Sequence, residues 1–247
     1  MGQDLELSHH TFKNIHTIFS SFPPHLKAWV GRAEEESDGP SVASLVAQVL
    51  EGCPLPKLVA LIAQNDAASG HLIAAAHLIA TLPAHHDALL SAGLPRALIA
   101  AASPKVPPPP AGALPTDSVR ATAFKVLGML LRGPASKEAA DAVVAADGLE
   151  ALVASLSEGG EVGESAARCL LALTEGGATH HPAVVAAGAV PPLVAAVKSG
   201  EEAGSGWAAA AAAAARTLLN LMATQAAAER EAAAAGFDAA ALRAMLI

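Results

Sequence analysis

The chain has 247 residues, a length that allows one or two domains and a substantial core. Hydrophobic residues make up 53% of it, but alanine contributes much of that share and buries little surface per residue. The net charge is −8 and the 15 lysine and arginine residues are spread singly, which argues against nucleic-acid binding. No stretch has the features of a secretory signal or a membrane-spanning helix, and we expect neither.

Residues 1–40 form a separate aromatic N-terminal extension in this sequence. Its apolar residues fall at helical spacing and share one predicted helix face, with Trp29 just beyond: Phe12, Ile15, Phe19 and Phe22. One interpretation is a helix that covers the open apolar end of a repeat array, and the other is a docking segment for a partner. The acidic residues 34–38, followed by Gly39-Pro40, predict a solvated linker.

From residue 41 to residue 247 one pattern recurs: a short helix, a glycine turn, a second helix and a longer third helix. The pattern of the turn and second helix occurs at residues 54–63, 91–102, 145–156, 186–197 and 234–246. Steps near 40 residues with two longer ones indicate helical repeats that carry insertions near 103–116 and 198–206. The first insertion contains KVPPPP, which cannot be helical and is either a spacer or a ligand for an SH3-like domain. The second, KSGEEAGSG, predicts a flexible loop.

The third helices carry apolar stripes at the spacing 0, 3, 4, 7, which buries one face of each helix against its neighbours. The stripes are Leu72, Ala76 and Ile79; Ala123, Val126, Leu127 and Leu130; Ala167, Leu170, Leu171 and Thr174; and Ala215, Leu218, Leu219 and Met222. The sequence therefore predicts an all-α fold in which stacked three-helix units share a continuous core.

The segment AAGAVPPLVAAV, at residues 186–197, and the later segment ARTLLNLMA resemble the armadillo repeat. The resemblance covers residues 41–247 and implies a right-handed α-solenoid of about four three-helix repeats behind an N-terminal helical extension. It also implies a groove lined by third helices that binds proteins, with no enzymatic activity.

The chain departs from the importin-like armadillo proteins, which grip a peptide backbone with a Trp and an Asn four residues later. Aligned by sequence, the asparagine register holds Ala80, Gly128, Ala172 and Asn220, and the tryptophan register holds Phe124, Arg168 and Arg216. Only Asn220 matches, so the asparagine ladder is absent and binding of nuclear-import cargo is not expected.

Sequence motifs predict neither catalysis nor a cofactor or metal site. No nucleophile motif and no phosphate-binding loop is present. The histidine pairs at 85–86 and 180–181 occupy equivalent places at the start of first helices, and we expect them on the surface at the repeat edge. Cys53 and Cys169 stand in apolar contexts and are expected to be buried free thiols, which favours a reducing compartment.

Three sets of residues are predicted to contact partner proteins. Arg168 and Arg216 should form a short basic ladder in the groove beside Asn220, either free for an acidic partner segment or neutralised by Glu164 or solvent. The aromatic set is Phe12, Phe19, Phe22 and Trp29. The third set lies at the C-terminal edge, which is expected to expose an apolar patch to a partner or to another copy of the chain: Leu242, Met245, Leu246 and Ile247.

These features predict a non-catalytic scaffold, a small structural subunit or adaptor of a larger protein assembly. Two alternatives stay open: an adaptor that binds peptides in its concave groove, and a cochaperone of the Hsp70 nucleotide-exchange type. We expect protein partners, with no nucleic acid and no membrane. The expected location is cytoplasmic, and the family suggests the ciliary axoneme.

Overall fold

The computed structural model describes residues 42–64, 69–103, 116–203 and 208–246. Fourteen helices occur in these ranges, with short 3-10 turns before α4 and α10. They are α1 (Val42–Gly52), α2 (Leu55–Gln64), α3 (Ser69–Ala80), α4 (His86–Ser91), α5 (Leu94–Ala102), α6 (Thr116–Arg132), α7 (Ser136–Ala145), α8 (Gly148–Leu156), α9 (Gly160–Glu175), α10 (His181–Ala186), α11 (Val190–Ala203), α12 (Ala208–Met222), α13 (Ala226–Ala234) and α14 (Ala239–Ala244). The predicted N-terminal extension and the KVPPPP segment lie outside the described residues.

The helices form four three-helix units, followed by α13 and α14. The third helices of the units, α3, α6, α9 and α12, pack on one another in sequence, and the second helices pack against them. The predicted stripes are buried as expected, except that Leu171, Leu219 and Met222 are half-buried. The all-α repeat architecture predicted from the stripes is therefore confirmed.

In the second, third and fourth units the turn between first and second helices holds a residue in the left-handed conformation, and the third unit fills this position differently from the other two. Gly93 and Gly188 adopt positive φ there, whereas Asp147, with φ of 56°, takes the place in the third unit. Gly148 is instead the first residue of α8 and is buried. Aligning the copies on glycine was therefore wrong by one residue in this unit, because Asp also tolerates the left-handed region.

Replacing Asp147 with glycine should raise the free energy of unfolding by about 0.5–1 kcal/mol, because glycine has no Cβ to strain at positive φ. Urea denaturation measures the change. As a control, Glu150→Gly on the exposed side of α8 should lower stability by about 1 kcal/mol, since glycine is a poor helix former. A loss of stability in Asp147→Gly would show that the aspartate is held there by interactions of its own.

The predicted flexible loop at 198–206 is partly wrong, because α11 continues through Lys198 to Ala203. Lysine, glutamate and alanine are good helix formers, so an acidic stretch with a single glycine extends the helix. Lys198 also lies over the ring of Phe237, with Nζ 5.7 Å from the ring centroid, which links α11 to the loop before α14.

The predicted apolar patch at the C-terminal edge is also corrected. Leu242 is fully buried because α14 folds back onto α12, and Leu246 packs partly against the core. Met245 is the large hydrophobic side chain that stays exposed among the described residues, at 39%. Ile247 lies outside the described part of the chain.

Arg120 on α6 is the charged side chain that the described core buries. Its Nε donates to the carbonyl oxygen of Ala102, the last residue of α5, at 2.9 Å. Its guanidinium forms a two-pronged ion pair with Glu158 and donates to Ser155 Oγ at 2.9 Å. One side chain thus joins the second helices of two successive units through the third helix between them.

The second histidine of each predicted surface pair is buried, which contradicts the expectation for His86 and His181. Nε2 of His86 donates to the carbonyl oxygen of Ala80 at 2.8 Å, and Nε2 of His181 donates to that of Thr174 at 3.0 Å. Each ring satisfies a carbonyl at the C-terminal end of the preceding third helix, where helices leave backbone acceptors without partners.

Cys53 and Cys169 are buried and free, as predicted. Burial raises the pKa of the Cys169 thiol to about 12 and raises that of Cys53 as well. Within the described ranges no single helix is long and apolar enough to cross a bilayer, and two strongly bent helix pairs reach that length and composition only when each pair is taken together.

Candidate protein-binding face

The candidate site is the third-helix face, which we define by four rows of equivalent positions on α3, α6, α9 and α12. Three members, Leu78, Gly128 and Ala172, are buried, and the others are half-buried or exposed. The alternation of buried and exposed residues aligns these helices without gaps. The first row of equivalent positions is Ala74, Lys125, Arg168 and Arg216. The second is His77, Gly128, Leu171 and Leu219. The third is Leu78, Met129, Ala172 and Asn220, and the fourth is Thr81, Arg132, Glu175 and Ala223.

Three consecutive helices carry a basic residue in the first row, and we call Lys125, Arg168 and Arg216 the basic row. Their side chains are 46%, 57% and 58% exposed. Packed helices lie about 8–10 Å apart, so the three charges are spaced at roughly that interval. The predicted ladder of two arginines therefore has a third member, which sequence alignment missed because it placed the fully buried Phe124 in this register.

Each member of the basic row is paired with a glutamate of α9. Lys125 Nζ lies 2.7 Å from Glu161 Oε1, and Arg168 Nη2 lies 2.9 Å from Glu164 Oε1. The third pair joins Arg216 to Glu175 of the preceding unit at 3.3 Å. The sequence left two alternatives for Arg168, free for a partner or neutralised by Glu164, and the structure shows the pair with Glu164. Exposed ion pairs of this kind contribute only about 0–1 kcal/mol, so a partner can exchange them at small cost.

Asn220 is half-buried and bonded inside the protein. Its Nδ2 donates to Thr174 Oγ1 at 3.2 Å, which connects α12 to α9. Thr174 in turn donates to the carbonyl oxygen of Leu171 at 3.0 Å. The asparagine predicted to contact a partner therefore has a structural bond that a partner would have to replace.

Arg132 is a further basic residue of this face that the sequence analysis did not single out. It is the last residue of α6, it is exposed, and it forms no ion pair within the described ranges. Equivalent positions of α6 and α9 are 43 residues apart, and this offset would have placed Arg132 on the face. The offset can be recognised only from the pattern of buried and exposed residues. Nearby, burial first and then the charge of Lys125 lower the pKa of His77.

The other predicted contact residues are not brought to this face. Phe12, Phe19, Phe22 and Trp29 lie outside the described residues, as does Ile247. Leu242, Met245 and Leu246 lie in or directly after α14, which packs on α12 and contributes no residue to the basic row. No group of three or more His, Cys, Asp or Glu side chains among the described residues is placed to hold a metal ion.

Comparison with solved structures supports the repeat architecture. An engineered protein aligns with a TM-score of 0.64 and 23% identity over 95% of this chain and 93% of its own. A designed armadillo repeat protein in complex with the peptide (KR)4 aligns with a TM-score of 0.61 and 18% identity, covering 94% of this chain and 89% of its own. This chain has the armadillo-like repeat fold. A further designed armadillo repeat protein aligns with a TM-score of 0.62 over 97% of its length, at 18% identity.

No protein-family profile matches the sequence, and no curated protein sequence matches it significantly. The armadillo-like assignment therefore rests on the fold. Within that fold, the asparagine register predicted from sequence is corrected in the first two units, where it holds Leu78 and Met129 in place of Ala80 and Gly128. Asn220 remains the only asparagine in this row of four.

Proposed function

We propose that the protein is a non-catalytic scaffold or adaptor that docks a partner protein on its third-helix face. The observation that carries this proposal is the basic row, a set of exposed charges repeated on three stacked helices and held only by weak surface pairs. Repeated charges on a rigid surface select partners by electrostatic complementarity and steer their approach. The armadillo-like fold supports the same function, since designed proteins of this fold recognise peptides.

A permanent place in a larger assembly is the finer part of the proposal. Its sequence support is the aromatic N-terminal extension, whose aromatic side chains suit a buried contact. The support from the C-terminal edge is smaller than the sequence suggested, because the fold itself buries Leu242. We further propose a cytoplasmic location, with the ciliary axoneme as the site that the resemblance suggests; imaging of the tagged chain in ciliated cells tests it.

Charge reversal tests the docking face. The variant Arg168→Glu/Arg216→Glu should weaken partner binding by about tenfold or more, because two attractions become repulsions. The tagged chain is purified natively from its own cells, and the companions are quantified by mass spectrometry at low and high salt.

The matched control is Arg230→Glu/Arg243→Glu, which reverses two exposed charges on α13 and α14 without touching the face. This control should keep its companions. Should both variants retain the same companions in the same ratio, the third-helix face is not the docking surface and the proposal is wrong.

A further inference from the structure

We propose that the third-helix face selects an extended acidic segment of its partner, and that one carboxylate of this segment binds Arg132 above Gly128. This inference rests on the proposed docking function and adds the chemistry of the partner. It comes from the arrangement of α6, where a glycine and an arginine one turn apart break the pattern of the neighbouring helices.

The Arg132 side chain folds back over Gly128. A Cβ built on Gly128 would lie 3.4 Å from the nearer Nη atom of Arg132, and its three nearest neighbours would all be guanidinium atoms of this arginine. The equivalent positions in the other units hold His77, Leu171 and Leu219, all half-buried. The glycine therefore leaves a shallow notch in an otherwise filled row, and a guanidinium occupies it.

Arg132 differs from the basic row in having no acidic partner among the described residues. Lys125, Arg168 and Arg216 are each neutralised by a glutamate of α9, whereas the Arg132 guanidinium forms no hydrogen bond or ion pair within the part of the chain that the structure describes. A planar guanidinium binds a carboxylate with two parallel hydrogen bonds. An arginine at a helix C-terminus also interacts favourably with the helix dipole, so stability and binding must be measured separately.

The balance of charge on the face favours an acidic occupant. Among the described residues, the four rows and their ion-pair partners hold four basic side chains and three acidic ones, in a chain whose overall charge is −8. An extended chain rises about 3.3 Å per residue, and packed helices are about 8–10 Å apart. Acidic residues three positions apart would therefore meet successive bases of the row.

The probe is an acetylated and amidated 12-residue peptide with glutamate at every third position and serine or threonine between, titrated calorimetrically into the full chain. A peptide with glutamine in place of each glutamate is the matched ligand, and (KR)4 is the opposite one. We expect the glutamate peptide to bind, the other two to bind at least about tenfold more weakly, and salt to weaken the binding.

Variants assign the carboxylate to Arg132. Arg132→Gln should weaken binding of the glutamate peptide about tenfold, since it removes one charge-assisted bidentate contact. Gly128→Leu restores the side chain type of Leu171 and Leu219 and displaces the guanidinium, so it should weaken binding similarly while leaving the thermal midpoint unchanged or higher. Arg96→Gln, an exposed arginine on the second helix α5, should have no effect.

The outcomes separate this inference from the docking function. Preferential binding of (KR)4, or equal binding of the glutamate and glutamine peptides, would overturn the acidic selection while the charge-reversal result for the face still stands. Equal affinity of Arg132→Gln and Arg96→Gln would remove Arg132 from the site. Binding that appears only after Glu34, Glu35, Glu36 and Asp38 are neutralised would identify the chain's own acidic segment as the occupant, and a partner segment would be the wrong proposal.

Discussion

Replacing Arg120 with methionine is expected to lower the free energy of unfolding by about 2–4 kcal/mol, because two buried acceptors lose their donor at a cost of about 1–3 kcal/mol each. The side chain is only 5% exposed, and its guanidinium binds Glu158 and Ser155 while Nε donates to Ala102. Methionine fills much of the volume, but it leaves the buried Ala102 carbonyl and the buried Ser155 hydroxyl without their donors. Urea denaturation followed by circular dichroism measures the loss.

Lys125→Met is the matched control for this substitution. Lys125 lies on the same helix and also pairs with a glutamate across the repeat interface, but both side chains are about half exposed. Its removal should cost less than about 1 kcal/mol. If the two methionine variants lose equal stability, burial does not account for the contribution of Arg120 to the free energy of unfolding.

The contribution of Glu158 should depend on pH. Its hydrogen bond from Arg120 is the main cause that holds the pKa of Glu158 below its ordinary value near 4.5. A carboxylate whose pKa is lowered on folding contributes stability above its unfolded pKa and loses it as the pH falls through the folded value. The stability difference between the native chain and Glu158→Gln should therefore be present at pH 7 and shrink at pH 3.

The sequence predicts the architecture well because periodicity is a local property. The stripes around Leu127, Leu170 and Leu218 point to long third helices, and each residue is buried in the structure. The exact register is not predictable in the same way. Asp147 adopts the turn conformation in place of a glycine, and Gly148 is a helix residue, so glycine alone does not mark the turn.

The candidate site is only half visible in the sequence. Arg168 and Arg216 stand out because identical spacing surrounds them in two units, while the sequence alignment placed Phe124 instead of Lys125 in the same register of α6. Arg120 and His86 look like surface residues in the sequence, since arginine and histidine are usually exposed. Their burial depends on acceptors 18 and 6 residues away, the carbonyl oxygens of Ala102 and Ala80.

Gly133→Ala is expected to destabilise the fold by about 2–4 kcal/mol, because the added methyl group would overlap the buried ring of His86. A Cβ at this position would lie 2.0 Å from Nδ1 and 2.6 Å from Cε1 of His86. The ring cannot move away freely, since its Nε2 donates to the carbonyl oxygen of Ala80. Thermal and urea denaturation of the variant give the loss of stability.

The equivalent positions in the next two units explain the choice of controls. Thr224 follows α12 in the same register, and its hydroxyl lies 2.6 Å from Nδ1 of His181. In the second unit Gly133 stands at the position of Thr224 and offers no hydroxyl. The ring of His86 lies against this glycine, and its Nδ1 is buried without a hydrogen-bond partner among the described residues. The glycine is therefore required by the position of the ring.

Gly176→Ala provides the matched substitution, since Gly176 follows α9 in the same register and its Cβ would meet only backbone oxygens at 3.6 Å. Its effect should stay within about 0.5 kcal/mol. In a His86→Ala background, Gly133→Ala should lose most of its effect, because residues in contact are not additive. Equal losses for Gly133→Ala and Gly176→Ala would mean that the histidine ring moves aside easily, and that the hydrogen bond from His86 to Ala80 does not hold the junction between the first two units.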